Sequence, residues 1–516
     1  MSTPRSIRRC LNLLRFPVIA ITMHCCFAAA DLSAGTHASS QSADDAWTRA
    51  LKTYKAKGAW GKTSLRAPEL AKKASAHSVR ATGQWFRLEV AEDGMVKIDA
   101  AYLRAQGVDP ASLASIRDIK IFGGSGCALS TAPDARMGDE LPQCAVFYAD
   151  NNGNGRFNDD DYLLFYAQGS TGWDYDHEAG RFRHWINPYS SSNFYFLQIA
   201  SSGTVKEMPM QQAPASAGSV VTGSVGKIFF DEDKFNFNQS GQMWVGAPMS
   251  GNGTTRLITN KLTGYAPGTP LIYRYDLFAQ ASVQSTFEIS EANAVIADVE
   301  LPAMTIEEIK STEGEFAREA VGEIAVDPKL PGDRSTVRMT YSAASSNAAG
   351  YINWLEIIYQ KQLAASNDEL TFTSPDQTGS VEYPVTGFST NAVLGFDVTD
   401  LNNVKRLDLQ LQQQMGTFRF RDNLTSGTVR SYWIGAPSAY HAPKSTVKLP
   451  PSNLHGTGPG AEFIIITHQD FKSEALRLKA HKEALPSGTA LSTTVVDVDT
   501  IYNEFGNGTP DPTAIR

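Results

Sequence analysis

The hydrophobic pattern of residues 462–516 predicts one β–α–β unit. Glu462–Thr467 is a short run of β-branched and aromatic residues, which is typical of a strand buried on both faces. Phe471–Leu485 has apolar residues near helical spacing with charged residues between them, so it predicts a helix that Asp470 caps. Leu491–Val498 predicts a second buried strand. The two strands are therefore expected to be parallel neighbours.

The same segment begins a further helix that it does not complete. Asp511 and Pro512 form an N-cap and first-turn pair, and Arg516 is the last residue of the sequence. Two parallel strands cannot bury both of their faces. The pattern therefore predicts that this chain is an amino-terminal piece of a longer protein, whose later strands complete the sheet.

Upstream of that unit, the pattern is almost entirely that of β-strands. Residues 84–200 alternate short strands with turns, and residues 229–449 carry strand-length runs separated by clusters of Gly, Pro, Asn and Ser. Such spacing is typical of a β-sandwich, here of jelly-roll type. The sequence therefore predicts a mainly β fold, with an N-terminal β-rich domain and a jelly-roll-like β-sandwich, followed by the truncated start of an α/β domain.

The amino terminus has the features of a secretory signal peptide. Four arginines precede or enter an apolar run at Phe16–Phe27, and residues 28–30 are three alanines that suit a cleavage site. The run is short for a membrane span, so the mature chain is expected to be exported. The predicted divisions are a signal peptide at 1–30, a flexible leader at 31–80, an N-terminal β-rich domain at 81–222, a β-sandwich domain at 223–450, a linker at 451–460 and the start of an α/β domain at 461–516.

Beyond residue 30 the chain is acidic. The formal net charge of the whole sequence is −8, and the first 30 residues contain four arginines and no acid, so the remainder has a charge of −12. Binding to nucleic acid requires a basic patch, so nucleic acid is excluded as a partner. Scattered acidic residues of this kind favour solubility.

The sequence contains five cysteines, which are the candidates for a disulfide or a catalytic thiol. Cys10, Cys25 and Cys26 are removed with the signal peptide, which leaves Cys127 and Cys144. An even pair in an exported chain is typical of a disulfide, so a Cys127–Cys144 bond is expected. No histidine lies near either residue in the sequence, so neither is expected to be catalytic.

Asp150–Asp161 has the residue spacing of a calcium-binding loop. Oxygen ligands are expected at loop positions 1, 3, 5, 7, 9 and 12, with glycine at position 6. The predicted ligands are Asp150, Asn152, Asn154, the main-chain carbonyl of Arg156, Asn158 and Asp161. Gly155 permits the sharp bend. The Ca²⁺ would be structural, because it offsets the repulsion among the loop carboxylates.

Two features depart from the usual calcium loop, and a second interpretation stays open. Position 12 is aspartate instead of glutamate, and the flanking segments are strands instead of helices, so the loop would lie inside a hairpin. The alternative is a hairpin turn rich in Asn, Gly and Asp that is held by its own hydrogen bonds.

The stretch Ile501–Arg516 resembles the start of the gingipain-type cysteine peptidase domain, and Ile464–His468 fits the same family. Upstream stretches are similar to one branch of that family, the type IX secretion system sortase. They are Glu92–Ile98, Lys120–Gly124, Asp150–Tyr166 and Ile352–Tyr359. The resemblance implies that the α/β unit is the start of a caspase- or gingipain-like domain.

The resemblance implies a reaction whose reactive groups lie outside this sequence. In such peptidases a cysteine thiolate attacks a backbone carbonyl and a histidine takes the proton. No cysteine follows Cys144, and His468 and His481 do not occupy the family's catalytic position. No catalytic residue is therefore assigned, and the chain alone is expected to be inactive.

The sortase branch implies a more specific role. Such an enzyme cleaves the C-terminal sorting signal of an exported cargo protein and transfers the cargo to a cell-surface anchor. The implied partners are that cargo and outer-membrane secretion components, and the implied location is the cell surface, the outer membrane or the periplasm. The alternative is a non-enzymatic exported β-sandwich protein for binding or adhesion, with a calcium-stabilised loop.

Overall fold

The structure is a computed structural model, and it describes residues 77–132, 141–237, 239, 243–311, 315–327, 330, 332–456, 460–486 and 488–516. The predicted signal peptide, most of the predicted leader and three cysteines (Cys10, Cys25 and Cys26) lie outside the described residues, as do residues 457–459 of the predicted linker. Within the described ranges, every helix is too short or too polar to traverse a bilayer.

Eight strands and one short helix build the N-terminal domain. They are β1 (Gln84–Val90), β2 (Gly94–Asp99), α1 (Ala100–Ala105), β3 (Ile119–Gly123), β4 (Phe147–Ala149), β5 (Tyr162–Ala167), β6 (Thr171–Asp176), β7 (Arg181–Ile186) and β8 (Asn193–Ile199). One sheet has the order β1-β8-β3 and a second has the order β2-β5-β4, while β6 and β7 form a separate hairpin. Leu88, Ile98 and Phe165 are fully buried in the core of this domain.

A late strand, β26 (Ser445–Leu449), completes the first of these sheets. It pairs antiparallel with β1, where Leu449 lies opposite Trp85. The strand belongs to the stretch predicted as part of the β-sandwich, residues 223–450. The chain therefore returns to the N-terminal domain just before the α/β unit begins.

A carboxylate on β1 fixes this returning strand. Glu89 accepts hydrogen bonds from Lys444 Nζ at 2.7 Å, from Ser445 Oγ at 2.6 Å and from Ser192 Oγ at 2.8 Å. These bonds, that of Lys444 foremost, lower the pKa of Glu89 to about 2. The ionised form of Glu89 is thus the one that holds β26.

The depressed pKa predicts a pH-dependent contribution to stability. A group of this kind stabilises the fold above its unfolded pKa of about 4.3, and the effect is lost as the pH falls through about 2. We expect Glu89→Gln to lower the free energy of unfolding by about 1 kcal/mol at neutral pH, because Glu89 is partly exposed to solvent. Urea unfolding at neutral pH and near pH 2 measures the difference, with Glu92→Gln as the exposed control. An equal loss at both pH values would contradict the charge-based explanation.

The next region is a jelly roll. Its strands are β10 (Gly223–Asp231), β11 (Met249–Ser250), β12 (Asn252–Lys261), β13 (Leu271–Gln280), β14 (Ser285–Glu291), β15 (Ala294–Leu301), β16 (Arg318–Val326), β17 (Arg334–Ala343) and β18 (Ala349–Gln362), with one helix, α2 (Ile306–Lys310). One sheet has the order β10-β18-β13-β16, and the facing sheet has the order β12-β17-β14-β15. The first and last strands are neighbours, as in a jelly roll. The predicted sandwich type is confirmed.

A second sandwich follows, and all of its strands except β9 lie within the same predicted domain. Its strands are β9 (Ser219–Val220), β19 (Glu369–Thr373), β20 (Gly379–Val385), β21 (Leu394–Asp397), β22 (Lys405–Arg406), β23 (Gln410–Leu411), β24 (Phe418–Leu424) and β25 (Ser431–Gly435). Phe372, Tyr383, Phe420 and Tyr432 pack in its own core, separate from that of the jelly roll. Residues 223–450 therefore contain two sandwiches where the sequence predicted one. The pattern did not separate them, because the strand period is the same in both and does not indicate where one core ends.

The α/β unit has the predicted order of elements. They are β27 (Phe463–Thr467), α3 (Lys472–Glu483), β28 (Thr493–Asp497) and α4 (Val498–Phe505). The two strands pair in parallel, as predicted. The predicted cap differs, because Asp470 lies inside a 3₁₀ turn, Gln469–Phe471, that is capped by His468. Other 3₁₀ turns lie at Val79–Ala81, Pro110–Ser112, Ile116–Asp118, Pro437–Ala439 and Pro512–Ile515.

The expected Cys127–Cys144 disulfide is wrong. Cys144 has a free thiol that is buried in the core of the N-terminal domain. Its Sγ lies 3.7 Å from the carbonyl oxygen of Gly123 and 3.4 Å from Asn402 Nδ2. Cys144 thus packs as a small apolar side chain, which is a common role for free cysteine.

Candidate functional site

The stretch that resembles a peptidase folds through its own capping bonds. At the end of β28, Asp497 accepts hydrogen bonds from the N–H groups of Asp499 and Thr500, and so starts α4. Asp511 then starts the 3₁₀ turn Pro512–Ile515, as the pair of Asp511 and Pro512 predicts. Residues 498–516 form what we call the docking segment, because one side of it packs against the N-terminal domain.

A buried ion pair joins the docking segment to the beginning of the N-terminal domain. Glu504 Oε2 accepts a hydrogen bond from Ser78 Oγ at 2.6 Å, and Glu504 Oε1 lies 4.0 Å from Arg80 Nη1. The side chains of Arg80 and Glu504 are only 2% and 1% exposed. His455 Nε2 lies 3.7 Å from Glu504 Oε2. The linker, the first turn of the N-terminal domain and α4 therefore meet at one carboxylate.

Arg80 has few other ways to stabilise its charge. Its Nη2 donates to the carbonyl oxygen of Pro450 at 3.2 Å, and its guanidinium lies 5.8 Å from the ring centroid of Phe196. Among the described residues, no hydrogen bond reaches Arg80 Nε, Arg80 Nη1 or Glu504 Oε1. Burial lowers the pKa of Arg80, while Glu504 acts to raise it. The ionised forms of Arg80 and Glu504 therefore stabilise each other.

The end of the docking segment contacts the loop after β3. Asp511 Oδ2 accepts a hydrogen bond from the N–H of Leu129 at 2.7 Å. The guanidinium of Arg516 donates to the carbonyl oxygens of residues 130–132 at distances between 2.9 and 3.2 Å. The docking segment is thus attached at both ends to the N-terminal domain.

The sheet of the α/β unit has one uncovered face. Ile464 and Ile466 are 60% and 39% exposed, although β27 was expected to be buried on both faces. Thr494 and Val496 of β28 lie opposite them in the parallel register. Helix α3 covers the other side of the sheet. The expectation of burial fails because one helix can cover only one face of a two-stranded sheet.

The two histidines of the unit do not form a catalytic pair. His468 lies at the carboxyl end of β27, where its Nδ1 accepts a hydrogen bond from the N–H of Asp470 at 3.3 Å. It is half exposed and acts as a cap. His481 is exposed on α3. Burial raises the pKa of the Cys144 thiol to about 12, which disfavours the reactive thiolate at neutral pH.

The predicted calcium ligands lie together in the hairpin loop between β4 and β5. Asp150 accepts hydrogen bonds from the N–H groups of Asn154 and Gly155 at 3.2 and 2.7 Å, and Asn152 Oδ1 also accepts from the N–H of Asn154 at 3.1 Å. Gly155 has a φ of 75°, which favours glycine, as the loop spacing predicts. These bonds hold the amino-terminal half of the loop in a tight turn, which both interpretations of the loop predict.

The other half of the loop brings oxygens around one point. Asn158 Nδ2 lies 3.1 Å from Asn154 Oδ1, 3.5 Å from the carbonyl oxygen of Arg156 and 2.8 Å from Asp161 Oδ2. An amide donor therefore occupies the centre of three predicted ligand oxygens. No three His, Cys, Asp or Glu side chains cluster as metal ligands in the described part of the chain. A cation here would depend on amide and main-chain oxygens beside Asp150 and Asp161.

The sequence did not reveal the residues that hold the docking segment. Arg80 and Glu504 are far apart in the chain. One signal was available, because Glu504 lies between Ile501 and Phe505 in a helix that buries apolar residues, where a charged residue needs a partner. Its partner could not be identified without the fold.

Comparisons with known proteins agree with this architecture. The model of peptidase family C25 matches residues 457–516. The crystal structure of dimeric latent PorU from Porphyromonas gingivalis matches with a TM-score of 0.72 and 20% identity, over 86% of this chain and 40% of that chain. The chain therefore spans 40% of the length of PorU. The predicted resemblance is thus confirmed in two respects, because residues 457–516 match the model of the peptidase family and the fold of the chain is similar to that of PorU.

Other matches are fragmentary. The CBM36-1 domain of a multidomain xylanase from the hindgut metagenome of Trinervitermes trinervoides has 11% identity and a TM-score of 0.17, over 26% of this chain and 95% of that chain. The delta-endotoxin Cry8Ea1 from Bacillus thuringiensis has 10% identity and a TM-score of 0.20, over 38% and 39% of the two chains. No curated protein matches the sequence.

Proposed function

We propose that this chain, whose residues 457–516 match peptidase family C25, is the amino-terminal part of a gingipain-type cysteine peptidase. The observation that carries the proposal is the position of the matched residues. They form a parallel β–α–β unit with an uncovered apolar face, and their docking segment is attached to the N-terminal domain by Glu504, Asp511 and Arg516. The β domains would therefore act as the base on which the peptidase domain is built.

The uncovered face has a defined role in this proposal. Ile464 and Ile466 would be covered when later strands extend the sheet beyond β27 and β28 and their crossover helices pack on this face. Each fully buried side chain of this size contributes about 1.5–3 kcal/mol. The histidine and the cysteine that perform the chemistry would follow the carboxyl ends of those later strands, where open parallel sheets place their active sites.

The finer part of the proposal concerns substrate and location. We expect the complete enzyme to be exported and to cleave C-terminal sorting signals from cargo proteins at the outer membrane. An amine that attacks the acyl-enzyme in place of water would then join the cargo to a surface anchor. The PorU fold over 86% of the chain supports this choice among gingipain-type enzymes.

The test compares two products. The 516-residue chain is expected to show no turnover of a peptide that carries a sorting signal, because Cys144 is buried and no cysteine follows it. A product that continues through the complete peptidase domain is expected to cleave the same peptide and to lose activity with iodoacetamide. Thiol-dependent turnover by the 516-residue chain would overturn the proposal, as would an inactive, correctly folded longer product.

We also propose that the β4–β5 loop binds a structural Ca²⁺. The support is the set of oxygens from Asn154, Arg156 and Asp161 around the amide of Asn158, together with Asp150, whose carboxylate accepts from the N–H of Gly155 in the same loop. Rotation of that amide would replace its nitrogen with its oxygen, and so complete a ligand set of oxygens only, which Ca²⁺ prefers. The ion would stiffen the hairpin and would take no part in peptide cleavage.

A further inference from the structure

The β6–β7 hairpin of the N-terminal domain lies across the outer face of the jelly roll. Among the described residues, its strands pair only with each other. Ring contacts, ion pairs and hydrogen bonds attach it to side chains of the sheet that contains β10 and β18. Trp173 packs edge-on against Phe229, with ring centroids 5.7 Å apart, and Lys227 Nζ lies 4.1 Å above the ring of Phe182.

One histidine of the hairpin is enclosed by two carboxylates of the jelly roll. His184 Nδ1 lies 2.7 Å from Glu356 Oε1, and His184 Nε2 lies 3.1 Å from Asp231 Oδ2. The N–H of His184 also donates to Glu356 Oε1 at 3.0 Å. The imidazole stacks on Phe229 with centroids 4.4 Å apart. Its side chain is 8% exposed, so water contributes little to its solvation.

This arrangement requires a charged histidine. Both partners accept hydrogen bonds when they are ionised, and a neutral imidazole has a single N–H to donate. The imidazolium has two, so it alone satisfies Glu356 and Asp231 together. A neutral ring would direct a lone pair at one of the carboxylates.

No neighbouring cation in the described ranges takes the place of a protonated His184 between Glu356 and Asp231. The nearest cation is Arg274 on β13, whose Nη1 lies 3.6 Å from Glu356 Oε2. Arg274 is already shared, because its Nε donates to Glu323 at 2.7 Å and its Nη1 donates to the carbonyl oxygen of Phe182 at 2.9 Å. Besides Asp231, Glu356 and Arg274, the charged groups of the elements packed here are Lys227 on β10, Glu232 and Asp233 directly after it, Asp276 on β13, Lys361 on β18, and Asp174, Asp176, Arg181 and Arg183 on the strands of the hairpin.

We propose that His184 is a pH-dependent latch, which holds the β6–β7 hairpin on the jelly roll while it is protonated and releases the hairpin when it loses its proton. Burial alone would lower the pKa of His184, but the hydrogen bonds to Asp231 and Glu356 outweigh burial and raise it. A group with a raised pKa stabilises the closed form below its free pKa of about 6.5, and this effect disappears as the pH rises through the raised value. The hairpin is thus closed in mild acid and opens in alkali.

Release of the hairpin would open a space between domains. The hairpin forms one wall of a cavity of about 280 Å³, to which Tyr175 and Phe182 contribute from the hairpin side. Ile272, Tyr359 and Asp376 line the opposite walls. Opening would expose this cavity together with the outer face of the sheet.

Hydrogen exchange of residues 171–186 in the intact 516-residue chain tests the latch. After correction for the intrinsic exchange rate, we expect protection to fall by roughly tenfold per pH unit once the pH exceeds the free pKa of about 6.5, until the pH reaches the raised pKa of His184. His184→Gln should abolish this pH-dependent step. Asp231→Asn removes one of the two negative charges that stabilise the imidazolium, so the step should move to lower pH. His481→Gln, on the exposed face of α3, is the matched control and should leave the step unchanged.

Three outcomes would overturn the latch. The first is a hairpin whose corrected protection does not change with pH in the unsubstituted chain. The second is a His184→Gln variant that keeps the step, and the third is an Asp231→Asn variant whose step stays at the same pH. Asp231→Asn keeps the size of the side chain, so it provides the test if His184→Gln does not fold.

Discussion

Arg80→Ala is expected to lower the free energy of unfolding of the docked α/β unit by about 3–5 kcal/mol, the cost of leaving one member of a buried ion pair alone. Glu504 would remain buried with only Ser78 Oγ as a hydrogen-bond donor within 3 Å. Because Arg80 also contacts Pro450 and Phe196, some packing is lost as well. We expect α4 to separate from the N-terminal domain before the β-sandwiches unfold.

Hydrogen exchange in Val498–Phe505, together with urea unfolding, measures this effect. Arg477→Ala is the matched control, since Arg477 and Glu474 form a largely exposed pair on α3 that is expected to contribute less than about 1 kcal/mol. The double variant Arg80→Met with Glu504→Leu should be more stable than either charge-removing single variant, because it leaves no unpaired charge. A loss below about 1 kcal/mol for Arg80→Ala would contradict the role assigned to the pair.

Removal of calcium is expected to lower the melting temperature of the N-terminal domain by about 5–10 °C. A ligand at 100 times its dissociation constant stabilises the folded state by about 2.7 kcal/mol. For a domain of this size, each kcal/mol corresponds to about 2–4 °C. The melting temperature falls because, without a cation, the carboxylates of Asp150 and Asp161 repel each other in the same small loop.

Calorimetry with and without EDTA measures the shift. Asp150→Ala should abolish the response to EDTA. Asp159→Ala is the control, because Asp159 pairs with Arg104 outside the ligand set, and it should keep the response. An EDTA-independent melting temperature would favour the other interpretation, in which the loop is a turn held by its own hydrogen bonds.

The local pattern of apolar residues was sufficient to predict the α/β unit and the jelly roll. The alternation and length of the apolar runs follow from strand and helix geometry, so β27, α3 and β28 could be predicted with their order and direction. Gly155 and the residues around it could be placed in a hairpin loop for the same reason. Each of these features depends on residues that are close in sequence.

Long-range pairing could not be predicted from the pattern. Arg80 and Glu504 meet because the N-terminal domain and α4 pack together, and the residues beside Glu504 do not identify Arg80 as its partner. His184 likewise meets Glu356 across a domain boundary. The free thiol of Cys144 shows the same limit, since an even number of cysteines in an exported chain favours a disulfide only if the fold brings the two together.

The product isolated from its natural source tests the central claim most directly. Mass spectrometry of that product should find peptides beyond Arg516, with a histidine and then a cysteine, each after an apolar strand-like run, within roughly 150 residues. A mature protein that ends at Arg516, with Ile464 and Ile466 covered by another part of the same 516 residues, would contradict the assignment to a gingipain-type peptidase.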